Sequence, residues 1–256
     1  MQNSASELPT VSADVLERLR ARHPRVHSVT NSVAQNFTAN VLLAAGITPS
    51  MTVAPEEVAA FVATSESLLV NLGMFDAERR EAIEVAVEVA MEEGVPWVLD
   101  PAFADRARGR AAFARTIITR YPRVIRLNPA EFLALAGTAP NPDDLSRYAK
   151  ETRAVIALTG KVDIVTDGTR VASIANGHPL MPKVTAIGCA GSALLAGCIA
   201  VENDPFRAAV AGLAILGVAG EMAGAVAGGP GSFVPAFIDA LHSIDRDMLI
   251  AKARIS

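Results

Sequence analysis

The run Val184-Thr185-Ala186-Ile187-Gly188-Cys189-Ala190-Gly191-Ser192 sets a reactive thiol beside a glycine-rich stretch of backbone. It reads as a strand end, a tight turn and the start of a helix. Gly188 and Gly191 allow close backbone approach, the first helical turn leaves N–H donors unpaired, and the helix dipole adds partial positive charge there. Such a corner attracts an anion. Cys189 falls in that first turn, where a thiol is expected to ionise more readily than a free cysteine. A base beside an anion hole is the chemistry these residues suggest; the alternative is a helix-start glycine followed by a small buried cysteine.

Other polar residues fall where strands are expected to end. Asp100 and Glu131 are the carboxylates best placed to hold a divalent cation such as Mg²⁺, which is commonly bound by one or two carboxylates, water and substrate phosphates. Taken singly, each could instead cap or complement a helix start. Arg126 could grip a phosphate through its planar fork, or pair with Glu131 or Asp100. Asn31, Asn36 and Asn40 lie at the start and on the body of one helix. The last two share a face, as buried amides that either orient a small heterocycle or serve capping and packing. The Met51 thioether could lie against an aromatic ring or in the core. His27, inside a strand, reads as a satisfied core histidine.

These residues need a frame that brings strand ends together. Short Val/Ile/Leu-rich runs alternate with segments of helical period, which predicts a mostly parallel sheet covered by helices on both faces, a three-layer α/β/α fold. The predicted strands are 26–30, 48–51, 67–71, 96–100, 124–127, 155–158, 163–166 and 171–174, the last two joined by a two-residue Asp167-Gly168 turn of type I′. After Gly188 the chain reads as wholly helical, with segments at 189–201, 205–227 and 231–243. In open sheets of this kind ligands bind beyond the carboxyl ends of the strands. Thr30-Asn31, Asn71, Asp100, Arg126 and Thr159-Gly160 all fall there.

With 256 residues and no linker-like or repeated segment, the chain reads as one domain over 11–256 after a loose polar end at 1–10. A net charge of −4 argues against a nucleic-acid surface. The two cysteines, Cys189 and Cys198, suit neither a disulfide framework nor a zinc site and fit a reducing cytoplasm. The opening residues lack the basic start and apolar block of a signal peptide. The apolar runs 184–201 and 208–220 are rich in Gly and Ala, and read as buried core helices rather than a membrane hairpin.

The pattern Val26-His27-x-x-Thr30-Asn31-x-Val33-x-x-Asn36-x-x-Ala39-Asn40, continued by Gly46-x-x-Pro49-x-Met51, resembles the amino-terminal signature of the hydroxyethylthiazole kinases. Leu99-Asp100-Pro101, Ile125-Arg126-x-Asn128-x-x-Glu131, Leu158-Thr159-Gly160-x-x-Asp163, Asn176-Gly177-His178-Pro179-Leu180-Met181 and Gly229-Pro230-Gly231-Ser232-Phe233 follow in the family's order. The resemblance implies a ribokinase-like fold and a homotrimer with active sites between subunits. It also implies ATP-dependent phosphorylation of 4-methyl-5-(2-hydroxyethyl)thiazole in thiamine salvage. By position, Cys189 would be catalytic, and Met51 and Ala186 would meet the thiazole, with Asn31 and Asn36 also on the substrate side. Arg126, Thr159 and Gly188 would meet ATP, and Asp100 and Glu131 the Mg²⁺ shell. Two departures stand out. The family's Gly-Thr-Gly-Cys is Ala186-Ile187-Gly188-Cys189, and its Val-Gly-x-Gly after Asp100-Pro101 is Ala102-Phe103-Ala104-Asp105, with Leu127 in place of a further glycine. They leave open a kinase for another heterocyclic alcohol, such as hydroxymethylpyrimidine, or a non-catalytic thiazole- or nucleotide-binding homologue.

Overall fold

The structure, a computed structural model, describes residues 5–256. Its strands are β1 (Arg25–Val29), β2 (Thr48–Ser50), β3 (Ser67–Asn71), β4 (Trp97–Asp100), β5 (Val124–Leu127), β6 (Val155–Leu158), β7 (Asp163–Thr166) and β8 (Val171–Ile174). The helices before the sheet's antiparallel edge are α1 (Leu8–Arg22), α2 (Ser32–Ala44), α3 (Pro55–Ala63), α4 (Ala77–Glu92), α5 (Arg108–Ile118), α6 (Pro129–Ala136) and α7 (Pro142–Thr152). Those after it are α8 (Ile187–Val201), α9 (Pro205–Val226), α10 (Pro230–Ser243) and α11 (Arg246–Lys252).

The strands form one eight-stranded sheet in the order β2-β1-β3-β4-β5-β6-β7-β8. Pairings from β2 to β6 are parallel, and β7 and β8 add antiparallel to that edge. Buried residues of α1, α2 and α8–α11 make one core, and those of α3–α7 another on the opposite face. The expected three-layer α/β/α arrangement with a mostly parallel sheet is therefore present. Continuous burial explains the strand composition: β3, β4 and β6 are covered along their whole length and carry mostly Val, Leu and Ile. His27 is a satisfied core residue, its ring bonded to Ser50 Oγ at 2.8 Å and to the Thr52 carbonyl at 3.1 Å. Burial pushes it down to about 4.

The strand order reverses at β1. The helix after β1 packs on one face and the helix after β3 on the other, so a crevice opens between the carboxyl ends of these neighbouring strands.

Four local expectations are corrected. The Asp167-Gly168 connection is a four-residue loop, because Thr166 pairs with Val171. Only Gly168 takes positive φ there, and the Asp167 carboxylate accepts from the Thr169 and Arg170 N–H groups, which stabilises a wider turn than type I′. The loose end shrinks, since α1 begins at Leu8 after a turn of 3₁₀ helix at Ala5–Glu7; residues 1–4 lie outside the described residues. No strand ends before α8, where a 3₁₀ turn at Met181–Lys183 leads through extended Val184 into a turn. Finally, α11 was not foreseen, although Asp245 caps it by accepting from the Met248 N–H at 2.8 Å.

Among the described residues, one helix, α9, is long and apolar enough to cross a membrane. Most of it is buried between α1, α8 and α10, as expected of a core helix.

Candidate active site

The start of α8 comes up beneath the crevice, packed against β1, β3 and β4. Its N-cap is Ala186, whose side chain cannot accept a hydrogen bond, so the N–H groups of the first turn have no side-chain partner. By contrast, Asn31, Asp76, Asn128, Asn141, Asp204 and Asp245 each cap their helices through a side-chain oxygen. Ala186 sits at φ 68, ψ −2, left-handed backbone that costs a residue with a Cβ about 1–2 kcal/mol. Ala186→Gly should therefore stabilise the fold by about 0.5–1 kcal/mol after the extra unfolded-state entropy of glycine is counted. A shift of the urea midpoint to higher concentration checks this; an unchanged or lower midpoint would show that the turn bears no such strain.

Cys189 is the third residue of the first turn of α8, half-buried. Its Sγ faces the amide Nδ2 atoms of Asn31 at 3.5 Å and Asn71 at 3.4 Å. These amides come from the carboxyl ends of β1 and β3, the two strands that flank the crevice. Gly73 keeps the space open, because a Cβ there would lie 2.8 Å from Asn31 Nδ2 and 2.9 Å from Asn71 Oδ1. The expectation of a readily ionised thiol is overturned. Burial, and next the charge of Asp100, push Cys189 up to about 11, outweighing the two amides and Arg126.

Asp100, at the end of β4, is buried and accepts from Ser192 Oγ at 2.7 Å. The Glu131 carboxylate completes a capping box at the start of α6. One oxygen accepts from Asn128 N at 2.9 Å and the other from Phe103 N at 3.0 Å. Burial, and then Asp100's charge, raise Glu131 above the usual carboxylate range. The two acids are thus close enough to repel. The cation facing them is Arg126, whose Nη1 stands 3.9 Å from Asp100 Oδ2, beyond hydrogen-bond range. An all-oxygen donor pair with surplus negative charge fits a hard divalent cation. Among the described residues, no group of three or more His, Cys, Asp or Glu side chains gathers as a metal cage.

Arg126 projects from β5 against the start of α8, where a Cβ on Gly188 would lie 3.0 Å from Nη1. Its side chain is 17% exposed, and Nε is buried without a partner. Gly191, expected to favour a ligand, instead admits helix α9, since a Cβ there would meet Leu216 Cδ2 at 2.8 Å.

A groove of about 930 Å³ runs away from this corner. Arg126, Thr159, Gly160 and Lys161 form its polar end, while Pro179, Met181, Leu213 and Leu216 give an apolar wall further along. Gly188, beside Arg126, and Ala186 also line it. Asn31, Asn36, Met51 and Cys189 do not line this groove. Met51 is half-buried against the core that contains α8 and α9. Asn31 is both the cap of α2 and a neighbour of Cys189. Asn36 and Asn40 are exposed, contrary to the expectation of buried amides, because α2 turns that side outward and bonds them to each other. Phe103, at φ 62, places an exposed ring at the groove's polar end.

Sequence reasoning placed Asn71 at the ligand-facing strand ends without giving it a role, and left Ser192 out of the site. Their signals were an amide two residues before Gly73 at a strand end, and a lone hydroxyl on an apolar helix one turn after Gly188.

The fold belongs to the ribokinase-like class. A ribokinase-like superfamily protein from Enterococcus faecalis superposes with a TM-score of 0.71 at 12% identity, over 91% of this chain and 95% of that one. The family follows from closer relatives. The hydroxyethylthiazole kinase family model matches residues 16–247. A probable hydroxyethylthiazole kinase of Agrobacterium fabrum is 43% identical over 253 residues, with 98% of each protein covered. The structure of hydroxyethylthiazole kinase from Pyrococcus horikoshii superposes with a TM-score of 0.91 at 34% identity, over 96% of this chain and 98% of that one. The chain belongs to the hydroxyethylthiazole kinase family.

Proposed function

We propose that this protein transfers the γ-phosphoryl group of ATP to the primary alcohol of 4-methyl-5-(2-hydroxyethyl)thiazole, in the cytoplasm, as a step of thiamine salvage. Membership of the family supports the substrate. The observation that carries the chemistry is Arg126, a partly buried guanidinium with an unpartnered Nε, pressed against an uncapped helix start. Both present N–H donors to the same space, and phosphoryl transfer depends chiefly on such positioned positive charge.

In this reading the triphosphate lies at the polar end of the groove on Arg126, Thr159 and the Gly188 N–H, and the base lies against the apolar wall. Asp100 and Glu131 would hold Mg²⁺, which when bound offsets charge on the phosphates. The alcohol approaches from the far side of the α8 start, between Met51, Ala186, Asn31 and Asn36. Its hydroxyl oxygen bonds to the γ-phosphorus as the bond to the β,γ-bridging oxygen breaks. The hydroxyl proton passes to the Cys189 sulfur in its thiolate form, so the step draws on the ionised fraction of that thiol. The Asn31 and Asn71 amides point N–H donors at that sulfur and offset part of the opposition that burial and Asp100 set against its thiolate.

Residues 11–256 are read as one kinase domain, with neither nucleic acid nor membrane as a partner. The alcohol side lies open in the single chain. Val33, Asn36, Asn40 and Leu43 share one helix face, and Val33 and Leu43 are 62% and 60% exposed. A neighbouring subunit would cover this face, so the proposed assembly is a homotrimer with active sites between subunits. Sedimentation equilibrium should return three times the chain mass, and a monomer at micromolar concentration would refute the assembly.

The activity is tested by incubating the protein with ATP, Mg²⁺ and a panel of alcohols that includes the hydroxyethylthiazole and a hydroxymethylpyrimidine. Phosphate ester should form on the thiazole with the highest kcat/KM. Preference for the pyrimidine would reassign the substrate, and nucleotide binding without product would remove the enzymatic reading.

A further inference from the structure

The wall of the groove from Asn176 to Met181 has no regular secondary structure before its last residue, yet it is held from two directions. Helix α9 offers it a seat of three glycines on one face. A Cβ on Gly217 would lie 2.7 Å from Asn176 Cβ, one on Gly220 2.5 Å from Met181 Sδ, and one on Gly224 2.3 Å from the His178 ring. Glu221 stands on the same stretch of helix. Its carboxylate accepts from Gly177 N at 2.9 Å and Asn176 Nδ2 at 3.1 Å. Gly177 needs that hold, since its φ of +144 lies in backbone space that other residues rarely adopt.

The second hold comes from the segment after α11. Arg254 forks onto both oxygens of Glu221, donates through Nη2 to the Ala175 carbonyl at 2.6 Å, and sends its backbone N–H to Asn176 Oδ1 at 2.7 Å. Ala175 N returns a bond to the Arg254 carbonyl at 2.9 Å, and Ile255 bridges to Ile174 at the end of β8. Burial works to raise Glu221, but Arg254 and the loop N–H groups hold it below the usual carboxylate range. The carboxylate is therefore charged at neutral pH.

We infer that Glu221 and Arg254 are positioning residues for the nucleotide: together they fix the Asn176–Gly177 wall against which ATP binds, without touching the reacting atoms. The inference rests on the reading of this groove as the ATP site. It makes nucleotide affinity, and not the transfer step or the alcohol side, depend on an ion pair bonded directly to the wall but absent from the groove's lining.

The test uses the full-length protein in three forms: wild type, Glu221→Gln and Arg254→Gln. Binding of a fluorescent ATP analogue is followed by displacement with ATP, and KM and kcat are then measured for both substrates. Each variant should weaken ATP binding and raise KM for ATP about tenfold, while kcat at saturating ATP and KM for the alcohol stay within about threefold. Two outcomes would overturn the clamp: wild-type ATP affinity in both variants, or parallel losses for ATP, alcohol and melting temperature, as a general structural role would give. If Glu221→Gln fails to fold, Arg254→Gln decides alone, because its side chain is 56% exposed. Failure of the wild type itself to bind ATP would instead defeat the kinase reading, and the clamp with it.

Discussion

Cys189→Ala is expected to lower kcat about a hundredfold while leaving KM for ATP near the wild-type value, and Cys189→Asp to retain transfer. The reason lies in the setting of the sulfur. It is half-buried, faced by two amide donors and close to the start of α8, but Asp100 and burial hold its proton on to about 11. Such a group is almost wholly protonated at neutral pH, so the rate should climb with alkalinity, roughly tenfold per pH unit between pH 7 and 9 when transfer limits turnover. An aspartate in its place starts from a far lower ordinary value, so under the same burial and the same Asp100 charge its profile should be flatter over that interval. The measurement is kcat against pH for the three forms at saturating substrates. A wild-type rate from the alanine variant would remove the cysteine from the proton's path.

Asp100→Asn should cost more, about a thousandfold in kcat, with the melting temperature shifted by only a few degrees. Asparagine has the same shape, and its carbonyl oxygen can still accept from Ser192 Oγ, so the buried hydrogen bond at the end of β4 survives. What is lost is one of the two negative charges that repel each other at Asp100 and Glu131. The substitution should accordingly bring Glu131 down toward its ordinary range while weakening any hold on Mg²⁺. Glu131→Gln would be a poorer probe. Both oxygens of Glu131 accept backbone N–H groups, so an amide nitrogen would leave one of them facing another donor. Steady-state kinetics across a Mg²⁺ titration, beside thermal melts, separate the two effects. Activity within threefold of wild type would show that Asp100 takes no part in handling the phosphates.

The layers of the fold were legible because buried parallel strands must be largely apolar, and Ser67–Asn71, Val124–Leu127 and Val155–Leu158 are runs of Val, Leu and Ile with few polar members. The positions of Asp100, Arg126 and Cys189 at strand ends or a helix start could be read for the same reason. Their electrostatics could not. Whether Cys189 ionises easily depends on Asp100, 89 positions earlier, arriving beside it in a buried setting, and spacing along the chain carries no trace of that. The exposure of Asn36 and Asn40 was hidden too, since helical periodicity says that two residues share a face but not which way the face points. The Asp167-Gly168 loop misled because a dipeptide preference gave way to the hydrogen bonds that Asp167 makes to Thr169 and Arg170.

Helix α8 is enclosed along most of its length, with the sheet beneath it and α1, α2 and α9 around it. A rod gripped on every side cannot tilt or slide without breaking many close-packed contacts at once. The end proposed to meet the phosphates is therefore an anchored terminal rather than a jaw, so any closing over substrates is expected of the loops at its rim. In hydrogen exchange, the amides along its interior should be among the last in the molecule to trade their protons, whether or not substrate is bound.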